Sequence, residues 1–341
     1  MKPPARTPVK LDEIVAPIQE DLRRVERVLH EGVRSVAPLI SEVGSYTFDG
    51  GGKRVRPVLV LLAARLCGYR GPRAIQVAAA AECLHTATLT HDDVVDGAEM
   101  RRGRPSVNAQ FGTRLAILMG DFLLAQSSSL LVADGNADIL AIYADSIRKM
   151  AEGEVIQLMR SFDPEIPESV YLDVIGRKTA SSIAAAAEAG SILGGVTLSE
   201  RRSLREYGWQ VGLALQLVDD AIDYLSSGDE LGKSRFTDVA EGKVTLPLLL
   251  TLKRCSAAER GEITAIIKSL AAASAAGQAP PEREQVERVA ELVSRHRGAE
   301  LALERASECS DAANASIEAF VDCEAKQALC ELARFVVTRR T

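Results

Sequence analysis

The chain has 341 residues, 47% hydrophobic and 26% charged, with 41 Lys and Arg against 47 Asp and Glu, a net charge of −6 with histidine neutral. That balance is ordinary for a globular protein and offers no broad basic surface to a phosphate backbone, so nucleic-acid binding is not expected. The start MKPPARTPVK lacks the apolar stretch of a secretory signal, runs such as 58–64 and 244–252 are shorter than a membrane span, and six dispersed cysteines form no CxxC pair; a cytoplasmic protein is expected, with reduced thiols, no integral membrane segment and no zinc site.

Apolar residues recur at three- and four-residue spacing almost throughout and period-two runs are scarce, which predicts an all-α protein, one domain over residues 1–341 with residues 1–8 flexible. The first predicted helix covers 9–38. A turn at Asp49-Gly50-Gly51-Gly52 precedes Lys53-Arg54-Val55-Arg56-Pro57 at the head of a helix over 55–68. Glycine turn, clustered cations and helix N-terminus together favour an anion. It is not a Walker loop, because Arg54 stands where the metal-binding Ser or Thr belongs, and only three residues separate Gly228 from the Gly232 before Lys233.

The next helix, 73–98, carries His91-Asp92-Asp93-Val94-Val95-Asp96, a DDxxD pattern. Asp92 and Asp96, four apart, share a face, and His85, seven residues earlier, lies within about 20° of the same stripe. Carboxylates about 5 Å apart repel by about 3 kcal/mol at an effective ε of about 20, so a cation should sit among them. Arg101-Arg102-Gly103 then supplies two guanidiniums suited to phosphate. Helices over 106–132, 137–160 and 168–194 follow, the last holding Lys178-Thr179.

The helix predicted over 199–226 ends in Gln216-Leu217-Val218-Asp219-Asp220-Ala221-Ile222-Asp223-Tyr224, a second DDxxD. At an Asp frequency of about 6%, one such pattern arises by chance in roughly 7% of chains this long and two in roughly a few per thousand, so the repetition is the signal. Oxygen-only donors select a hard cation, and Mg²⁺ combines one or two carboxylates with waters and substrate phosphate oxygens. The composition points to a diphosphate bridged by magnesium. Helices over 243–270, 282–312 and 314–337 complete the chain, with AAASAAGQAPP (271–281) as a loop and a frayed basic tail over 334–341.

The segments GGKRVRP (51–57), His85, DDVVDGAEMRRG (92–103), GEVIQL (153–158), Lys178-Thr179, QLVDDAIDY (216–224), Gly232-Lys233 and EGKVTLPLL (241–249) resemble, in this order, the trans-isoprenyl diphosphate synthase family over nearly the whole chain. The resemblance implies an isoprenoid-synthase-type bundle of long helices around a deep central cavity, usually a homodimer. It implies Mg²⁺-dependent head-to-tail condensation of isopentenyl diphosphate with an allylic diphosphate (geranyl, farnesyl or geranylgeranyl), three ions being bound with substrate. Asp92, Asp96 and Asp219 then match metal ligands; Asp223 completes the second group and, with Asp93 and Asp220, acts through water. Lys53, Arg56, His85 and Arg102 match the isopentenyl site, Arg101, Lys178 and Lys233 the allylic diphosphate site, and Thr179 and Gln216 its border. The catalytic set implied is Asp92, Asp96, Asp219, Lys178 and Arg101.

Short-chain members carry aromatic residues just before the first motif, where this chain has Ala87 and Thr88, with Cys83 and the alanines at 78–81 further back. Small side chains leave a tunnel open, which predicts a medium- or long-chain product of octaprenyl type, as for a quinone side chain. The same alanines could instead serve close helix packing. The alternatives are a short-chain farnesyl or geranylgeranyl synthase, a class I terpene cyclase, which needs no isopentenyl site, or a non-catalytic partner subunit, which tends to lose one aspartate motif.

Overall fold

The computed structural model describes residues 10–225, 236–276 and 283–339. Residues 1–8, Lys233, the 277–281 part of the predicted loop and the last two residues lie outside that set. The elements run α1 (Leu11–Val15), a 3₁₀ turn (Ala16–Ile18), α2 (Gln19–Gly32), α3 (Pro38–Asp49), α4 (Val55–Leu66), α5 (Arg73–Val95), β1 (Met100–Arg101), β2 (Arg104–Pro105), α6 (Val107–Phe111) and α7 (Thr113–Asp134). They continue with α8 (Ala137–Met159), α9 (Glu168–Ile175), a π-helical turn (Gly176–Ala180), α10 (Ser181–Gly194), α11 (Leu198–Leu225), α12 (Thr237–Ala240), α13 (Leu246–Arg254), α14 (Ala257–Ala275), α15 (Arg283–Arg295), α16 (Gly298–Ser316) and α17 (Glu324–Thr338). The expected all-α architecture is present, and the only strands among the described residues form one two-residue-per-strand hairpin.

Several predicted helices divide. The first breaks at Pro17, which opens the 3₁₀ turn, and ends at Gly32; a separate α3, read from sequence as connection, starts with Pro38 at a position where a missing N–H costs nothing. Gly112, at φ 87°, parts α6 from α7, and Arg297, at φ 58°, precedes α16. The 243–270 segment splits because Ser256 and Glu259 form a capping box that starts α14. That helix continues through Ala275, so the loop predicted from 271 begins later. The last helix starts at Glu324 and runs to Thr338, so the described part of the tail expected to fray is helical to Thr338 and docked through Arg339.

α4 is buried at every position from Val55 to Ala64, the mark of a helix enclosed on all sides. α5 lies between α4, α7, α2 and α10, with its run of four alanines at 78–81 no more than 1% exposed. α7 corrects the expectation of short apolar runs only: its 22 residues are long and apolar enough to cross a membrane. Arg114, Asp121 and Gln126 mask that run in the sequence. In the bundle α7 packs against α5 and buries Met119, Leu123 and Leu131, while Ile117, Leu118 and Val132 on its other side stay exposed.

Candidate active site

The first aspartate motif occupies the C-terminal turn of α5, the second that of α11. In each the middle aspartate is buried and taken up by protein donors. Asp93, 2% exposed, receives Arg101 Nε at 2.7 and 2.8 Å and Nη2 at 2.6 Å. Asp220, 5% exposed, accepts from Tyr171 at 2.6 Å and from Gln216 at 2.7 Å. The outer aspartates face outward: Asp96 and Asp219 are exposed and Asp92 is half-buried.

One short segment joins the motifs. Asp223 accepts the backbone N–H groups of Thr237 and Asp238 at 3.1 and 3.2 Å, fixing the start of α12. Six residues on, Lys243 reaches Asp96 at 3.3 Å and Glu241 at 2.6 Å. Burial works against the Lys243 charge, but Glu241 and Asp96 more than offset it and hold its pKa up. Asp238 is pushed well above the usual carboxylate range by burial and then by Asp220 and Asp223, which places a further carboxylate in the second cluster. Asp238 and Lys243 were missed as site residues in the sequence: Lys243 lies in the EGK motif, but neither has periodic spacing to either aspartate pattern.

The cations divide among three supports. Arg102 and Gly103, at φ 52° and 74°, form the two-residue turn of the β1–β2 hairpin, whose register pairs Arg101 with Arg104. Tyr46 of α3 pins this hairpin, donating to the Pro105 carbonyl at 2.7 Å while the Arg104 guanidinium stacks 3.6 Å over its ring. The turn sends Arg102 back to the Gly51 carbonyl, beside Gly52, whose φ of 147° favours glycine and where a Cβ would stand 2.7 Å from the guanidinium. Lys53, Arg56 and His85 share this neighbourhood with Arg102. The Lys53 pKa is lowered by burial, then by Arg339 against the opposing pull of Asp219, and by Arg102.

Arg56, 8% exposed, donates to Ser182 at 3.0 and 3.1 Å, and burial lowers its pKa to about 10. Burial and then Arg56, Arg102, Arg101 and Arg54 hold His85 well below its ordinary value, so it is a neutral imidazole at neutral pH. Arg54 departs from the expected cradle. At φ 48° it turns away and spends its guanidinium on Glu26 (2.7 and 3.1 Å), Glu82 (2.9 Å) and the Phe48 carbonyl (3.1 Å).

Lys178 and Thr179 sit in the π turn, a local widening of the helix often found at functional positions. Lys178 donates to Gln157 at 3.1 Å and pairs with Glu154, both from the GEVIQL segment of α8. Gly153 allows that approach, since a Cβ there would lie 2.9 Å from Lys178 Cγ. Thr179 donates to Gln216 at 2.7 Å. Asp219 is held by Arg339 at 2.6 Å, the last described residue of the tail. Cys83 and Ala87 are 1% and 2% exposed, burial pushes the Cys83 thiol up to about 12, and the half-buried Thr88 hydroxyl bonds back to His85 at 2.8 Å. Ser127 of α7 donates to the Ala80 carbonyl at 2.8 Å, so part of the alanine run is a packing surface.

Among the described residues no three His, Cys, Asp or Glu side chains form a ready-made metal cage. The donors fit magnesium nonetheless, because Mg²⁺ takes one or two carboxylates and completes its shell with water and phosphate oxygens. Asp92 shows the unmet demand: burial, with Glu154 and Asp96 adding and Lys178 opposing, pushes its pKa up to about 6. Such a group stabilises the fold below its unfolded pKa near 3.8, and that contribution is lost as pH rises through about 6. Calorimetric melting of the metal-free protein is therefore expected to show stability falling between those values, with a shallower fall in Asp92→Asn. An equal slope in the variant would contradict the assignment.

The sequence profile of the polyprenyl synthetase family matches residues 37–279. The octaprenyl diphosphate synthase of Haemophilus influenzae is 39% identical over 331 residues, covering 97% of this chain and 98% of that protein. A Caulobacter crescentus polyprenyl synthase, whose crystal structure holds calcium and isoprenyl diphosphate, superimposes with a TM-score of 0.92 at 37% identity, over 98% of this chain and all of that one. A decaprenyl diphosphate synthase from Rhodobacter capsulatus gives 0.89 at 35% identity, over 97% of this chain and 100% of that one. Two aspartate motifs ringed by cations on an all-helical bundle, together with these full-length matches, establish that the chain belongs to the polyprenyl synthetase family and is a trans-polyprenyl diphosphate synthase.

Proposed function

We propose that the enzyme extends an allylic diphosphate with isopentenyl diphosphate to an octaprenyl-like product, using magnesium held by Asp92 and Asp96 on one side and Asp219 and Asp223 on the other. The observation that carries this reading is the pairing, at the ends of α5 and α11, of two motifs whose middle aspartates are buried and held by protein donors while Asp96 and Asp219 are exposed and meet the cations Lys243 and Arg339. Magnesium, when bound, supplies positive charge to a diphosphate that gains charge as it leaves. Arg101, Lys178 and Lys243 grip that leaving group. Lys53, Arg56, His85 and Arg102 hold the second diphosphate, close enough to set the isopentenyl double bond toward the allylic carbon.

Departure of the diphosphate leaves an allylic cation. The Thr179 and Gln216 oxygens border it with the negative ends of their dipoles, and the buried walls of α4, α5 and α10 exclude water. Attack by the double bond forms the new carbon–carbon bond, and the released diphosphate takes the proton. A growing apolar chain then runs past Thr88, Ala87 and Cys83, where small side chains let it descend along α5.

The enzyme is proposed to work as a homodimer. Leu118, Ala125, Ser129 and Val132 recur at three-, four- and seven-residue spacing along α7, with Leu118 and Val132 each 63% exposed, and Leu140 on α8, which packs on α7, is 38% exposed. A two-fold axis would lay this apolar face against its copy. Light scattering is expected to give twice the chain mass; a monomer at micromolar concentration would refute it.

The test of function is a mass-resolved product assay with isopentenyl diphosphate and separate geranyl, farnesyl and geranylgeranyl primers, with magnesium and with chelator. A magnesium-dependent ladder ending at octaprenyl is expected, and Thr88→Phe should shorten it. Termination at farnesyl or geranylgeranyl in the unmodified enzyme would overturn the product length. No elongation from any primer would overturn the reaction itself.

A further inference from the structure

Behind the second aspartate motif runs a hydrogen-bond chain drawn from three separate elements. Tyr171 of α9, 4% exposed, donates its hydroxyl proton to Asp220 Oδ2 at 2.6 Å. The Gln216 amide donates to Asp220 Oδ1 at 2.7 Å, and Gln216 Oε1 accepts from the Thr179 hydroxyl at 2.7 Å. Each oxygen of the buried carboxylate thus has a protein donor of its own, from different helices. Gln216 rides on α11 with Asp220, so Tyr171 is the donor that ties this carboxylate to another helix, and because Asp219 and Asp223 share α11 that tie restrains rotation of the helix end about its axis.

A phenylalanine would fill the same apolar volume, so packing alone does not require the hydroxyl. Burial and the neighbouring Asp220 raise the phenol well above its ordinary value, so it remains a proton donor throughout the physiological range. The π turn matters as well. It carries Thr179 on the segment that directly follows α9, so Tyr171 and Thr179 approach α11 from one continuous stretch of chain and meet it at residues one helical turn apart.

We infer that Tyr171 is a positioning residue for the second metal group: by clamping Asp220 it sets the direction in which Asp219 offers its carboxylate to magnesium, and through Gln216 it links that group to Thr179 at the allylic diphosphate. The inference rests on the magnesium–diphosphate reading of the site. Tyr171 touches neither metal nor substrate and acts only through Asp220.

The deciding experiment measures Mn²⁺ binding to the full chain, with inorganic diphosphate present, by electron paramagnetic resonance. Tyr171→Phe is expected to weaken Mn²⁺ binding about 10- to 100-fold, the usual effect of removing an outer partner of a metal ligand. In turnover the half-saturating magnesium concentration should rise in parallel, with the KM for isopentenyl diphosphate little changed. Asp220→Ala combined with Tyr171→Phe should bind Mn²⁺ as Asp220→Ala alone does, because the hydroxyl then has no acceptor to hold. That comparison contains no buried unpaired charge and stands even if the single Tyr171→Phe protein folds poorly. Unchanged binding in Tyr171→Phe, or a further loss in the double variant, would overturn the positioning role. Failure of the unmodified enzyme to bind Mn²⁺ with diphosphate would instead overturn the reading of the site.

Discussion

Asp219→Asn is expected to lower kcat by at least about 10²- to 10³-fold, the range seen when one preorganised electrostatic group is removed from a reacting centre. The substitution keeps the shape and the exposed position of the side chain at the end of α11, so the fold should survive and circular dichroism should be unchanged. What it removes is the charge that Arg339 now neutralises at 2.6 Å and that magnesium would otherwise meet. Asp92→Asn should behave alike, with one difference. The surroundings of Asp92 push its pKa up to about 6, so its ionised form is disfavoured in the metal-free protein, which its replacement should relieve while disabling the loaded one. Near-normal turnover of either variant would exclude that residue as a metal ligand.

Arg54→Ala should cost about 3–5 kcal/mol of stability, the range for stripping one partner from a buried ion pair. The guanidinium is 13% exposed and meets Glu82, whose side chain is 3% exposed, so truncation leaves a carboxylate in the core without its cation. Glu26, at 37% exposed, can turn to water and contributes less. A denaturant titration would read the loss as a lower midpoint. Adding Glu82→Leu should recover most of it, since the penalty lies in the stranded charge. A loss under about 1 kcal/mol would mean that water reaches Glu82. The same variant should raise the KM for isopentenyl diphosphate, because Arg54 anchors the turn between Lys53 and Arg56.

These two residues also mark what can be read along the chain. The outer aspartates were legible because a four-residue spacing on a helix fixes a shared face whatever else the protein does. Arg54 was not, since it is spelled as one cation among three; its left-handed backbone, which directs it to partners 28 residues away on either side, has no signature in a run of basic residues. The middle aspartates show the same limit. Asp93 and Asp220 occupy equivalent places in identical patterns, yet one is consumed by an arginine eight residues on and the other by a tyrosine 49 residues back. The α3 helix was lost among Gly44, Ser45 and Thr47, which read as a connection, and the pin it supplies through Tyr46 went with it.

The hairpin at residues 100–105 has a consequence for how the enzyme can vary. Its two central residues alone complete the reversal, and its two ends are tied at once, Arg101 to Asp93 and Arg104 to Tyr46. A single inserted residue would invert the faces of the strand that follows, turning Arg104 off the ring and releasing Arg102 from the gap that Gly52 keeps open. Most surface connections absorb length changes more easily than changes of character. Here the order reverses: at this ribbon the number of residues is a stricter inheritance than most of their identities.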